Sequence, residues 1–252
     1  MASKNQMLKK LYDQIYRRGK DKFFTFNSNY VTKEVLRTVE FAGKRVLEIG
    51  CGTGVTALAI AKAGGKILAI DYSKEVIKIA TREKKHKNLE FKSAEPKNIK
   101  EMFDIIVMQD VIEHLDEPLK QLRDIKKKLN AKGKIIITCP SFMNVRGYVW
   151  MTLLKLFNVP MSLTDINFLS PFDFIEWAKK LNMKLTWRTF NFNLGNNQKM
   201  VIDMRKRLTN ALRDAKMKAD IPALLTWLKK VSRFDHKQYF SGAKGIYLLE
   251  KK

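Results

Sequence analysis

The stretch that decides the fold is VLEIGCGTG, residues 46–54. In its context, KRVLEIG reads as a short β-strand and GVTALAIAKAGG as a helix closed by glycine. Gly50, Cys51, Gly52, Thr53 and Gly54 occupy the turn between them. In an open α/β sheet such a turn is where a ligand sits, beyond the carboxyl end of the strand. Glycine there permits tight backbone conformations and close approach of the ligand. The dinucleotide fingerprint counted from Gly50 and Gly52 needs a third glycine at position 55, where Val55 stands. No Gly-Lys-Ser/Thr follows, which excludes a P-loop. A turn built for pyrophosphate is therefore disfavoured.

Two carboxylates refine the ligand. Glu48 stands just before the glycines, where a negative charge opposes a pyrophosphate but favours an ammonium or a sulfonium. Asp71 ends the next strand, KILAID, where a carboxylate accepts both hydroxyls of a ribose. Tyr72 beside it is placed to pack on an adenine.

Outward from this point, strands and helices alternate. SKEVIKIATREKK is a helix with Ser73 as its N-cap, NLEFKSA a third strand and FDIIVMQD a fourth. DEPLKQLRDIKKKLNAKG follows as a helix, with Pro near its start and Gly after its end, and then GKIIITCP as a fifth strand. This order predicts a parallel sheet covered on both faces. Past Cys139 the pattern loosens. NVRGYVWMTLLKLFNVPM is apolar and of helical length; from Gly147 to Val159 only Thr152, Lys155 and Asn158 are polar, on one stripe. SPFDFIEWAKKLNM is a helix with Ser170 as cap and Pro171 in its first turn, KLTWRTFNF a sixth strand, and GIYLLEKK the last. Before the glycine turn, residues 1–43 read as a basic helical lid, with Leu8, Leu11, Tyr12, Ile15 and Tyr16 at helical spacing.

The chain has 252 residues and a 45% apolar fraction, enough for one sizeable core; residues 1–252 read as a single domain with an apolar insert at 141–165 and a basic helical insert at 194–244. No run of eighteen apolar residues and no apolar signal core is present, so a cytoplasmic protein is expected, with peripheral attachment to a membrane as an extension. Cys51 and Cys139 are too few for a disulfide framework and read as reduced thiols. The formal charge is +24, and between Asn196 and Phe234 ten Lys or Arg face three Asp. An anionic membrane surface and RNA are the partners such a balance attracts, and Trp227, Phe234, Tyr239 and Phe240 are compatible with base stacking.

VLEIGCGTG, AIDYS and FDIIVMQDVIEHLDEP together resemble the successive motifs of class I S-adenosylmethionine-dependent methyltransferases, over Lys44 to about Lys184. The resemblance implies an α/β fold: a Rossmann-like, seven-stranded, mostly parallel sheet with helices on both faces and the last strand antiparallel. It implies S-adenosyl-L-methionine as cofactor and S-adenosyl-L-homocysteine as product. Gly50, Gly52 and Gly54, with Cys51 and Thr53 between them, would border the methionine portion, and Asp71 the ribose. Ser93, Ala94 and Glu95 would lie along the adenine, and Gln109 with Asp110 beside the methionine group.

Methyl transfer from a sulfonium is an in-line displacement in which the protein mainly aligns the partners. Asp110, Glu113 and His114, after the fourth strand, resemble a metal-binding pattern shared by the ubiquinone-pathway O-methyltransferases and the small-RNA 3′-terminal 2′-O-methyltransferases. They could hold a divalent metal such as magnesium, and His114 is the candidate catalytic base. The apolar segment and DINFLSPFDFIEWAKKLNM are similar to the first of these subgroups, with Trp150 and Asp165 as candidate substrate residues. The expectation is a methyltransferase acting on an oxygen or nitrogen of a small, apolar or quinone-like acceptor. The alternatives are an RNA 2′-O-methyltransferase and a non-catalytic cofactor-binding scaffold.

Overall fold

Short runs such as RVLEI and FDIIVMQ, apolar at most positions, suit strands buried on both faces by helices. The computed structural model describes residues 28–160, 162, 165–233 and 238–252. The helical reading of residues 8–16 and Phe234 lie outside the described residues. In chain order the elements are α1 (Ser28–Leu36), β1 (Arg45–Ile49), α2 (Val55–Lys62), β2 (Lys66–Asp71), α3 (Lys74–Glu83), β3 (Leu89–Ser93) and β4 (Phe103–Gln109). They continue as α4 (Pro118–Lys126), β5 (Leu129–Pro140), α5 (Val145–Phe157), α6 (Pro171–Lys180), β6 (Met183–Phe190), α7 (Phe192–Asn196), α8 (Gln198–Asp214), α9 (Ile221–Val231) and β7 (Lys244–Lys251). Short 3₁₀ turns occupy Pro96–Asn98 and Ile112–His114. Among the described residues no helix is long and apolar enough to cross a membrane.

The seven strands form one sheet in the order β3-β2-β1-β4-β5-β7-β6. Strands β3, β2, β1, β4 and β5 run parallel, and the last strands are antiparallel, as expected. Val46 and Leu47 of β1, Ile106 to Met108 of β4 and Ile135 to Ile137 of β5 are fully enclosed. Sequence order reverses between β1 and β4, so the crevice for a ligand opens at the carboxyl ends of these two neighbours.

One boundary differs from the sequence reading. The fourth helix was expected to run on to Gly133, but it ends at Lys126, and β5 begins at Leu129. Leu129 is fully buried and pairs with Phe103, whereas the next registered pair is Ile105 with Lys134. The extra residues form a bulge, held where Asn130 Nδ2 donates to Asp104 Oδ1 at 2.7 Å. Burying Leu129 outweighs the helical propensity of the lysines before it.

The chain divides into two compact units. The first comprises the residues up to Cys139, Phe172–Thr186 and Ile246–Lys252; beside its sheet core, Phe174 stacks on Tyr247 at 3.6 Å between ring centroids. The second comprises Pro140–Pro171 and Trp187–Gly245 and holds α5, α7, α8 and α9. Its core is Phe142, Trp150, Met200, Met204, Leu208, Leu212 and Leu228.

Two asparagine amides fix the start of α5. Asn144 accepts from Gly147 N–H at 2.8 Å as N-cap and donates to the carbonyls of Ser141 and Gly242. Asn196 accepts from Val145 N–H and donates to the Ser241 carbonyl. The expected polar stripe, Thr152, Lys155 and Asn158, is exposed, but so are Leu156 and Phe157. Only Arg146, Gly147 and Trp150 of the helix are buried. Gly147 is required by contact: a Cβ there would lie 2.1 Å from the Phe142 carbonyl oxygen. G147A should therefore cost about 2–3 kcal/mol by overpacking, read as a lower urea midpoint at unchanged m-value; an unchanged midpoint would contradict this packing.

Candidate functional site

The turn after β1 is built by backbone geometry first. Gly50 and Cys51 both donate their N–H to the Ile70 carbonyl, at 2.8 and 3.0 Å, which carries the chain off the strand beside the end of β2. Gly50, Gly52 and Gly54 then take φ of 71°, 52° and 77°, a left-handed region that side chains resist. Space confirms the requirement at two of them. A Cβ on Gly50 would meet Val111 Cγ2 at 2.5 Å, and one on Gly54 would meet Phe91 Cζ at 2.4 Å.

Asp71 is strapped to this turn. Its Oδ2 accepts from Gly52 N–H at 3.1 Å and its Oδ1 from Ser73 N–H at 2.9 Å. The two bonds fix the carboxylate plane, and a carboxylate has about four acceptor sites in all. Ser73 in turn caps α3, accepting from Val76 N–H as expected. β3 ends alongside: Ser93 pairs with Asp71, and Ala94 N–H donates to the Asp71 carbonyl at 3.0 Å. Tyr72 is exposed, and Glu95, also exposed, pairs with Lys97.

Glu48 is 2% exposed, and its Oε2 has no hydrogen-bond partner among the described residues. Burial, then the nearby charge of Asp71, push its pKa from an ordinary 4.5 up to about 8, against a bond from the Ala57 backbone. The same burial, with Glu48 and Asp71, pushes the Cys51 thiol far up, so Cys51 is a packed neutral thiol rather than a nucleophile. Thr53 is half-buried in the turn.

At the end of β4, Gln109 Oε1 accepts from Thr56 Oγ1 at 2.8 Å, and Thr56 lies 2.6 Å from Thr32 Oγ1 on α1. Asp110 is left-handed, with φ of 55°, a strained conformation of the kind found at functional sites. It is held by Thr138: Asp110 N–H donates to the Thr138 carbonyl and Thr138 Oγ1 donates to Asp110 Oδ1. Glu113 is buried and His114 half-buried in the 3₁₀ turn. Among the described residues, the ligand atoms of Asp110, Glu113 and His114 do not form one close trio.

In the second unit, Trp150 is 3% exposed with the Arg146 and Arg207 guanidinium carbons 4.3 and 5.0 Å from its ring centroid. Asp165 is half-buried, its N–H donating to Ser162 Oγ. The structure thus brings Glu48, the glycine turn, Asp71 and Ser93–Ala94 together and joins Gln109 to Thr56. Sequence reasoning missed Thr32, Thr56, Arg146 and Asp203. Thr56 had a signal, a lone hydroxyl in the first turn of an apolar helix; Arg146 had none, since arginine is read as a surface residue.

A family model described as a methyltransferase domain matches residues 23–194. The chain is 29% identical over 108 residues to the mitochondrial ubiquinone biosynthesis O-methyltransferase of Schizosaccharomyces pombe, covering 39% of this chain and only 38% of that protein. It is 24% identical over 162 residues to the ubiquinone biosynthesis O-methyltransferase of Coxiella burnetii, covering 61% of this chain and 69% of that one. The fold is similar to that of a SAM-dependent methyltransferase from Archaeoglobus fulgidus, with a TM-score of 0.58 and 18% identity over 96% of this chain and 98% of the other.

The buried Glu48 has a measurable consequence. The folded chain keeps its proton up to about pH 8 while the unfolded chain loses it near 4.5, so the folded state holds more protons across that window and its stability falls as pH rises. At pH 9 without ligand, E48Q should be more stable than wild type by on the order of a few kcal/mol, and at pH 4 the two should be similar. Urea denaturation at both pH values checks this; parallel pH dependence of the two proteins would refute it.

Proposed function

The chain belongs to the S-adenosylmethionine-dependent methyltransferase family, and from that premise we propose that it methylates an oxygen or nitrogen of a small, apolar or quinone-like acceptor. The observation that carries the reading is Glu48: a buried carboxylate with an unpartnered oxygen, raised in pKa, beside a strapped Asp71 and three left-handed glycines. A carboxylate held neutral by burial becomes favourable as an anion when a cation settles beside it. S-adenosylmethionine fits that demand, carrying an ammonium, a sulfonium and a ribose diol, and it supplies an already activated methyl group.

The chain's own residues then have the following roles. Gly50, Cys51, Gly52, Thr53 and Gly54 border the methionine portion, and since the N–H groups of Gly50, Cys51, Gly52 and Gly54 are bonded within the turn, the glycines serve by letting the ligand approach closely. Asp71 accepts from the ribose hydroxyls, its plane set by Gly52 and Ser73. Tyr72, Ser93, Ala94 and Glu95 flank the adenine. Gln109 and Asp110 close the methionine side, and His114 takes the proton of an oxygen nucleophile. Trp150 and Asp165 belong to the acceptor. The inserts at 141–165 and 194–244 set acceptor choice, with residues 1–43 as a lid. A divalent metal such as magnesium at Glu113 and His114 would serve the same end, by acidifying an acceptor hydroxyl.

A small acceptor is supported by the ubiquinone-pathway names of the two relatives and by the aromatic core of the second unit, where Phe142 contacts both Trp150 and Phe168. The exposed Leu156, Phe157 and Trp227, with Lys229 and Lys230, support peripheral contact with an anionic membrane. The same lysines would serve RNA in the alternative reading.

Three measurements test this. D71A should weaken S-adenosylhomocysteine binding about 10–100-fold in calorimetry, the loss of two hydrogen bonds to a charged group, and an unchanged affinity sinks the cofactor placement. Radiolabelled methyl should pass to catechols or quinols rather than to RNA, and transfer to RNA alone would replace the acceptor reading. Activity that survives EDTA assigns the proton to His114, whereas loss restored by magnesium assigns the metal.

A further inference from the structure

The second unit contains a buried cation that its own neighbours leave mostly unused. Arg146 lies in the first turn of α5 with its side chain 5% exposed, against the ring of Trp150. A guanidinium offers five N–H donors. Among the described residues Arg146 spends one: Nε donates to Asp203 Oδ2 at 2.7 Å. The other oxygen of Asp203 is taken by Arg207 Nε at 2.8 Å, and Asp203 is fully enclosed. Trp150, against both guanidiniums, has an indole Nε1 that is buried with no acceptor among the described residues.

Charge and hydrogen bonding separate here. The groups acting on Arg146 are Asp203, Arg207 and Asp165, so two cations meet two carboxylates and the cluster is near electrical balance. What is unmet is donor capacity. A buried donor without a partner is destabilising, and among the described residues the Trp150 indole N–H is one, beside a guanidinium with a single bond made. Indole N–H and guanidinium only donate, so the missing partner must accept. The core around them combines aromatic, thioether and leucine side chains, an apolar setting suited to a flat ring.

We propose that Arg146 and the Trp150 indole N–H form a subsite for the acceptor oxygens, carboxylate or phenolic, of a planar aromatic ligand. Asp203 is the positioning residue: bonded to both Nε atoms, it fixes the plane of the Arg146 guanidinium and leaves its Nη groups to the ligand. The choice of aromatic probes rests on the acceptor reading above, while the site itself rests on the second unit alone.

Calorimetry on the full chain tests this with benzoate and catechol as separate probes, S-adenosylhomocysteine binding being followed in parallel. At least one probe should bind wild type. R146Q should weaken it at least tenfold, and W150F, which keeps a ring and loses the N–H, about three- to tenfold. Preference for benzoate identifies a carboxylate ligand, and preference for catechol a phenolic one; either supports the subsite. Because R146Q leaves Asp203 short of a partner and can fail to fold, W150F and R146K, which keeps the charge without the fork, decide in that case. Wild type that binds neither probe, or variants that bind as wild type does, would overturn the proposal. Failure of S-adenosylhomocysteine to bind would overturn the cofactor reading and leave the subsite standing.

Discussion

The structure depends on one short strap, the carboxylate of Asp71 gripping the backbone N–H groups of Gly52 and Ser73. It joins the ends of β1 and β2, caps the entry to α3 through Ser73 and holds the glycine turn open. Left-handed glycines are entropically costly to order, because glycine has the most conformational freedom to lose. A charged acceptor on the turn offsets that cost with a stronger-than-average hydrogen bond. The same carboxylate adds its charge to the burial that raises the pKa of Glu48, so one residue contributes to both the shape and the electrostatics of the site.

Glu48 shows how such a site trades stability for readiness. A carboxylate fully enclosed with an unpartnered oxygen is a liability to the empty fold, and hydrophobic replacements of similar size would suit the core better. It is tolerated where a ligand cation repays it.

Most of the first unit was legible in the sequence. Runs such as RVLEI and FDIIVMQ announce strands, Ser73 announces a cap, and the separation of Gly54 from Asp71 carries one βαβ unit. These signals are local, set by period and turn chemistry within a few residues. The start of β5 was not legible, because Leu129 is drawn into the sheet by Phe103, a partner 26 positions away. In the second unit the apolar segment was legible as a helix, but its buried face was not: Arg146 goes inward and Leu156 outward, which only Asp203, on a separate helix, can explain. The donor chain through Thr32, Thr56 and Gln109 was hidden for the same reason, being made by side chains from three elements.

That chain has a direction. A hydroxyl has one hydrogen, and Thr56 gives its own to Gln109 Oε1, so Thr32 must be the donor to Thr56. With the Gln109 oxygen facing inward, its two N–H groups point elsewhere, and a half-turn of the amide requires both threonine hydroxyls to reverse with it. A helix early in the chain thus shares one proton order with a side chain at the end of β4. Turning the amide over, from a face that donates to one that accepts, is a concerted event across three elements rather than the rotation of a single side chain.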